Sequence, residues 1–196
     1  MLNNGESYPF MDYFSKIAKF YDFIIPPFKE KKLLQFITFN SAETLVEVGG
    51  GTGRAAKPLL PFVKEIILVD LSFDMLKQAK KNIHLKYLLT GSGTTLTFRN
   101  NSLELIFIND TLHHISSQQE VIESCFHALK DEGMIIIREI EPRYFWSKLI
   151  VLMEKILRFN SKFLTPTELM ELCSKANLTS TYYKESKGTY IIVAKK

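Results

Sequence analysis

Residues 44–60 read TLVEVGGGTGRAAKPLL, and the order of residue types in this stretch decides the fold. Thr44–Val48 has the apolar, β-branched pattern of a buried strand, interrupted only by Glu47. Gly49, Gly50, Gly51 and Gly53 follow at once, and residues 53–63 then read as a short helix disturbed by Pro58 and Pro61. A glycine turn between a strand and a helix lets a ligand approach the backbone, because no Cβ stands in the way. Three ligand classes use such turns. An NTP phosphate loop needs G-x-x-x-x-G-K-[ST], and no Lys-Ser or Lys-Thr follows these glycines. A dinucleotide turn needs G-x-G-x-x-G/A. Counted from Gly49 and Gly51 the third position is Arg54. Counted from Gly51 and Gly53 it is Ala56, a match that carries the turn four residues past Glu47 and off the strand end. A carboxylate at that end would also repel a pyrophosphate. What remains is E-x-G-x-G-x-G, formed by Glu47, Gly49, Gly51 and Gly53, in which the carboxylate calls for a cationic group.

Outward from this turn, short β-type runs alternate with helical ones. EIILVD (65–70) reads as a second strand, and Ser72 caps a helix over 73–82 with Asp74 in its first turn. KYLLT (86–90) reads as a third strand and LELIFIND (103–110) as a fourth. A helix capped at Ser116 or Ser117 is expected to run until Gly133 stops it, and MIIIREIE (134–141) is a fifth strand. This alternation predicts a parallel sheet covered on both faces. The last third differs. Thr165-Pro166 opens a helix with Glu168 completing a capping box, and TSTYYKES (179–186) and TYIIVAKK (189–196) flank Lys187-Gly188 as a β-hairpin. The expectation is therefore a mixed α/β sheet. The first forty residues read as helical and aromatic, with Tyr13, Ile17, Phe20 and Ile24 on one face.

The bulk properties narrow the function classes. A chain of 196 residues holds one domain with a sizeable core. The net charge of +4 is carried by scattered lysines, as in Lys29-Glu30-Lys31-Lys32, so no nucleic-acid patch is expected. Cys125 and Cys173 lie far apart in helical contexts, which suits buried thiols in a reducing cytoplasm and shows no metal-ligand spacing. The N-terminus MLNNGESYPF lacks a basic region followed by an apolar one, so no signal peptide is expected. No apolar run reaches the roughly 18 residues of a membrane span.

The motif at Glu47, Gly49, Gly51 and Gly53 resembles motif I of the class I S-adenosylmethionine-dependent methyltransferases. Three further stretches carry the same resemblance in the right order. VDLSFDML (69–76) resembles the segment whose acid, here Asp70, holds the ribose, with Leu71 and Met75 lining adenine and ribose. FRNNSLELIFINDTLHHI (98–115) resembles the fourth strand and its Leu-His-His end, with Glu104 in place of the usual Asp. HALKDEGMIIIREIEP (127–142) resembles the helix-to-strand region in which Leu-Lys-Pro-Gly-Gly is common. Residues 161–178 are also similar to the penultimate helix of the small-molecule group that includes ubiquinone and menaquinone biosynthesis enzymes. The resemblance spans about residues 10–196. It implies a Rossmann-like, doubly wound, mostly parallel seven-stranded sheet with an antiparallel C-terminal hairpin. It implies one domain, with a helical N-terminal cap (1–40), a cofactor-binding core (41–141) and a substrate-side region (142–196).

The implied cofactor is S-adenosyl-L-methionine, contacted by Glu47, Gly49, Gly51, Gly53, Asp70, Leu71, Met75, Asn109 and Asp110. One departure stands out. Many members carry Gly-Asp-Ala after the third strand, where the Asp binds the adenine amino group, and this chain has Gly91-Ser92-Gly93. Ser92 can accept a hydrogen bond there without charge assistance. Methyl transfer from a sulfonium needs positioning more than acid–base machinery, so no triad or metal is required. For an acceptor that arrives protonated, His113 and His114 are the candidate bases. Tyr21, with Tyr13, is a candidate to close over the sulfonium. Glu139 and Arg143 are candidates for acceptor contacts. Residues 142–159 read first as an amphipathic helix covering the sheet, and otherwise as a surface for a lipophilic acceptor or a membrane interface. The competing function class is a methyltransferase-like binding or partner subunit. Asn109-Asp110-Thr111-Leu112 lacks the Asn/Asp-Pro-Pro-aromatic signature of amino-methylating nucleic-acid enzymes. The expected partner is thus a small molecule, with no nucleic acid, in the cytoplasm.

Overall fold

The computed structural model describes residues 28, 30–40, 44–156, 159–186 and 188–196. Of the N-terminal cap (1–40), residues 28 and 30–40 are described, and Tyr13 and Tyr21 lie outside the described residues.

The elements follow in the order α1 (Lys31–Asn40), β1 (Thr44–Val48), α2 (Ala56–Leu59), β2 (Glu65–Asp70), α3 (Phe73–Asn82), β3 (Tyr87–Thr90), β4 (Leu103–Asn109), α4 (Gln118–Ala128), β5 (Leu129–Ile140), α5 (Phe145–Ile156), α6 (Pro166–Lys175), β6 (Thr179–Ser186) and β7 (Thr189–Lys195). They form a seven-stranded sheet in the order β3-β2-β1-β4-β5-β7-β6. β1 to β5 are parallel, and β7 runs antiparallel between β5 and β6. This is the mixed, Rossmann-like sheet that the pattern predicts.

The two faces separate by the period of two along each strand. Leu45, Leu105, Phe107, Ile136 and Ile191 point to one face, where they pack against Leu33 and Ile37 of α1, Leu59 of α2, and Leu76 and Ala79 of α3. Val46, Val48, Ile106, Ile108, Ile137 and Ile192 point to the other, against Val121, Ile122 and Cys125 of α4 and Leu169 and Cys173 of α6. Burial pushes both thiols up to about 12, as befits core cysteines.

The local signals behave as their chemistry requires. Pro58 and Pro61 cut the helix after β1 to a single turn followed by a 3-10 turn. Ser72 Oγ accepts from the Met75 amide at 3.3 Å, and the Thr165–Glu168 capping box closes both ways.

Two expectations are corrected. The helix after β4 ends at Ala128 rather than at Gly133, and Leu129 is already extended and paired with Leu103. The reason is long-range. Lys196, at the end of β7, donates from Nζ to the Phe126 and Leu129 carbonyls at 3.0 and 2.9 Å, so the helix end is satisfied by a cation before the glycine is reached. The register then shifts between Leu103 and Leu105, which takes up the surplus residues 130–133. Secondly, α5 does not cover the sheet with its apolar side. Phe145, Met153 and Ile156 are 70%, 61% and 71% exposed. The residues it turns inward include polar ones. Ser147 is buried and donates to the Gly188 carbonyl, and Glu154, seven residues on and so on the same face, approaches the His113 and His114 rings.

Candidate functional site

The strand order reverses between β1 and β4, so the crevice outside their carboxyl ends is where an open α/β sheet places a ligand. The glycine turn leaves β1 at this point. Its amides at Gly49 and Gly50 donate to the Val69 carbonyl at 2.7 and 3.2 Å, which pins the turn to β2. The glycines differ in purpose. A Cβ on Gly49 (φ +71°) would stand 2.1 Å from Thr111 Cγ2, and one on Gly50 would stand 2.5 Å from Leu68 Cγ. These two positions are filled by the protein itself. At Gly51 (φ +54°) the nearest obstacle to a Cβ is the flexible Met75 Cε at 3.3 Å. Gly51 is therefore the place in the turn where a ligand can lie against the backbone.

Three carboxylates stand at these strand ends. Glu47 is buried, and burial, opposed by Arg54 and reinforced by Asp70, pushes its carboxyl up to about 8. Its Oε2 is buried without a hydrogen-bond partner. Asp70 is used internally: Oδ2 accepts from the Gly51 amide and Oδ1 from the Ser72 amide, both at 2.8 Å. Burial raises its pKa against these two bonds. Each oxygen keeps a second lone pair, so the residue that shapes the turn can also take a hydroxyl. Asp110 sits just past β4 in a left-handed conformation (φ +47°), its Oδ2 paired with Arg138 at 2.6 Å and its Oδ1 buried without a partner. Burial raises its pKa despite Arg138. Arg138 also bonds Asn109 Oδ1 at 3.3 Å and Glu185 at 2.7 Å, which ties the end of β4 to the hairpin.

The segment after β4 is held by Glu139. Its Oε1 accepts from the Thr111 and Leu112 amides at 3.1 and 2.8 Å, and its Oε2 lies 2.6 Å from His113 Nδ1. Glu139 is therefore an internal clamp and does not reach outward to an acceptor, as the sequence reading had it do. The hydroxyl of Thr111 lies 3.1 Å from the Gly49 carbonyl and 3.0 Å from that of Asn109, bridging the ends of β1 and β4. His113 is buried and stacks on Phe163 at 4.4 Å. Burial works to lower its pKa, but Glu139, Glu154 and Asp110 together outweigh this and the value is raised. His114 packs against the His113 ring at 4.0 Å, and burial together with the His113 charge holds it well below 6.5.

The remaining candidates are spread more widely. Met75 is buried under Gly51, whereas Leu71 is 41% exposed at the crevice. Ser92 Oγ lies 2.8 Å from the Thr94 hydroxyl and accepts from the Thr94 amide, so it is engaged in its own turn. That turn lines a small depression with Val69, Leu89 and Phe98. Arg143, exposed, pairs with the buried Glu141 at 2.7 Å. Tyr21 lies outside the described residues. Sequence reasoning missed Thr111 and Glu154. Thr111 carries no motif signal of its own. Glu154 was visible as the one acid within an apolar and basic helix.

Comparison with known proteins agrees with this geometry. The family profile described as "Methyltransferase domain" matches residues 46–137. The chain is 32% identical over 111 residues to malonyl-[acyl-carrier protein] O-methyltransferase 1 of Coxiella burnetii, covering 56% of this chain and 37% of that one. It is 31% identical over 147 residues to an uncharacterized protein of Methanocaldococcus jannaschii, covering 71% of this chain and 69% of that one. The chain thus spans little more than a third of the first relative and about two thirds of the second. A Thermotoga maritima structure described as a SAM-dependent methyltransferase, possible histamine N-methyltransferase, superposes with a TM-score of 0.78 at 22% identity, over 94% of this chain and 99% of that one. Residues 46–137 thus form a domain of the methyltransferase family, and the 3-2-1-4-5-7-6 sheet around it is the fold of the SAM-dependent methyltransferase on which it superposes.

Proposed function

We propose that the protein transfers the methyl group of S-adenosylmethionine to a small-molecule acceptor. The observation that carries this reading is Glu47 Oε2, a buried carboxylate oxygen without a partner beside the open Gly51 backbone. A buried acid in that state calls for a cation. The methionine ammonium supplies one, and Asp110 Oδ1, likewise buried and unpartnered, is the second oxygen suited to it. The residues present therefore fit the cofactor.

The cofactor, when bound, supplies a methyl group on a sulfonium, and displacement breaks the S–CH3 bond and leaves its electron pair on sulfur. The chain's own residues position and exclude. Glu47 and Asp110 hold the amino-acid end. Asp70 braces the turn through Gly51 and Ser72 and offers its remaining lone pairs to the ribose. Gly49 and Gly53 keep the turn shape, Gly51 gives the approach, and Leu71 and Met75 supply apolar surface. Ser92 and the depression beside it mark the adenine end. The Asn109 carbonyl is the backbone acceptor at the β4 end. Where the acceptor must lose a proton, His114, held neutral, is the better placed imidazole, because His113 Nδ1 is already bonded to Glu139. Tyr21 is proposed from the sequence to close over the methyl group.

The acceptor class is a small molecule, and the exposed apolar side of α5 favours a lipophilic one. No helix among the described residues is long and apolar enough to cross a membrane, and we place the protein in the cytoplasm. A second reading, a methyltransferase-like binding or partner subunit, is favoured by one observation: Ser92 is spent on Thr94. Calorimetric titration with S-adenosylhomocysteine and with NAD(P)H decides between them. Binding of the sulfur nucleoside, followed by transfer of methyl label from S-adenosylmethionine into a metabolite pool, is the expected result. Binding without transfer supports the partner subunit, and NAD(P)H binding alone overturns both.

A further inference from the structure

Behind the cofactor crevice, His113, His114 and Glu154 bring three ligand atoms within 4.8 Å of one another, and no step of the methyl-transfer reading uses Glu154. The contacts have a particular form. His113 Nε2 lies 3.7 Å from Glu154 Oε1, and His114 Nδ1 lies 3.8 Å from Glu154 Oε2. Both are too long for hydrogen bonds. They are close to the separation of two ligands of one ion: nitrogen and oxygen donors about 2.0–2.1 Å from a tetrahedral zinc stand roughly 3.3 Å apart. The three ligand atoms lie within 4.8 Å of one another, so side-chain rotations moving them by up to about 1.5 Å bring them onto one centre.

The surroundings point the same way. Glu154 Oε2 is buried without a hydrogen-bond partner. His113 Nδ1 faces Glu139 Oε2 at 2.6 Å, and Glu139 Oε1 is itself held by two backbone amides. With the proton on Nδ1, the lone pair of Nε2 is directed at Glu154. A carboxylate behind a ligating imidazole is the usual arrangement at a protein metal site, because it fixes the tautomer and raises ligand basicity. Access exists on one side: the His114 and Glu154 side chains are 12% and 14% exposed, against 3% for His113. The Ser161 hydroxyl, 3.1 Å from His114 Nδ1, stands at that rim.

We propose that His113 Nε2, His114 Nδ1 and Glu154 bind a divalent cation of the zinc type, which fastens α5 to the loop after β4. Two imidazoles and one carboxylate select zinc or cobalt(II) over magnesium. The site does not depend on the methyl-transfer reading, although it shares His114 with it, and in it His114 serves as a ligand rather than as a proton acceptor.

The test uses the full chain stripped with a chelator and dialysed. Zinc content is measured after equilibration with a twofold excess, cobalt(II) is followed by its visible bands, and S-adenosylhomocysteine affinity is measured separately. One equivalent of zinc, intense tetrahedral-type cobalt bands and a raised melting temperature with zinc but not magnesium are expected. Glu154→Gln and His114→Gln should each weaken zinc binding by about a hundredfold or more, and Glu139→Gln by about 10–100-fold. The double variant His84→Gln/His127→Gln, which changes the two exposed histidines, should bind zinc as the parent does. Circular dichroism confirms that each variant is folded. No zinc retained by the parent, or zinc binding unchanged in both Glu154→Gln and His114→Gln, overturns the proposal. Loss of binding in the His84/His127 variant overturns it too, since the metal would then sit on the surface.

Discussion

Replacing Glu47 by Gln should make the free protein more stable and the cofactor complex weaker. Glu47 has a carboxyl at about 8 in the folded chain, against an ordinary value of 4.5. A group that keeps its proton longer when folded makes folding take up a proton between these two values, so stability falls as pH rises from 4.5 to 8. At pH 7 the cost is on the order of 3 kcal/mol. Gln carries no such cost. The variant should therefore melt roughly 5–10 °C above the parent at pH 7, with the gap closing towards pH 4.5. Binding has the opposite sign. The ammonium of S-adenosylhomocysteine needs the ionised carboxylate, which is present in about one molecule in ten at pH 7. Calorimetry in two buffers of different ionisation enthalpy should show release of about 0.9 proton per nucleoside bound, with affinity rising about 20-fold from pH 6 to 7.5. Glu47→Gln should abolish both the proton release and the pH slope. A parent that binds without releasing a proton, or a variant that melts no higher than the parent at pH 7, would refute the argument.

Other outcomes follow from the same contacts. Gly49→Ala places a Cβ 2.1 Å from Thr111 at a positive φ and should destabilise the fold by about 3–5 kcal/mol in urea melts, whereas Gly51→Ala, strained by its φ but met only by a flexible methionine end, should cost about 1–2 kcal/mol and also weaken S-adenosylhomocysteine binding. Equal losses of stability in the two would contradict the assignment of Gly51 as the approach point. Glu139→Ala leaves the Thr111 and Leu112 amides and His113 without their acceptor and should cost about 3–5 kcal/mol, while a loss below about 1 kcal/mol would show that the loop is held by other contacts. Because the His113 pKa is raised, the stability it contributes with Glu139 is complete below 6.5 and is lost as pH rises through the folded value. The parent's lead over Glu139→Gln in thermal melts should shrink accordingly above pH 6.5. Asp70→Ala should reduce S-adenosylhomocysteine affinity at least tenfold, and an unchanged affinity would move the ribose elsewhere.

Much of this was legible in local sequence. Strand period, the Ser72 cap, the Thr165–Glu168 capping box and the two prolines after the glycine turn each act within a few residues, so their spacing carries their meaning. The Glu47–Gly53 motif belongs here too, because one strand end and its turn form the floor of the crevice. Where the reading failed, a distant residue had intervened. Lys196 ends the helix at Ala128, although Gly133 was the local stop signal. Glu139 looked like an outward strand-end acid until the loop after β4 folded back onto it.

The chain's residue order thus determined by itself the α/β class, the glycine turn and the call for a cation at Glu47, since these rest on periodicity and on charge beside a turn. Only the tertiary structure decided which glycines face protein and which faces a ligand, because that depends on Thr111, Leu68 and Met75 arriving from other elements. It also decided that α5 points its apolar residues outward and Glu154 towards two histidines. A helical wheel defines faces, but the partner across the interface decides which face is buried.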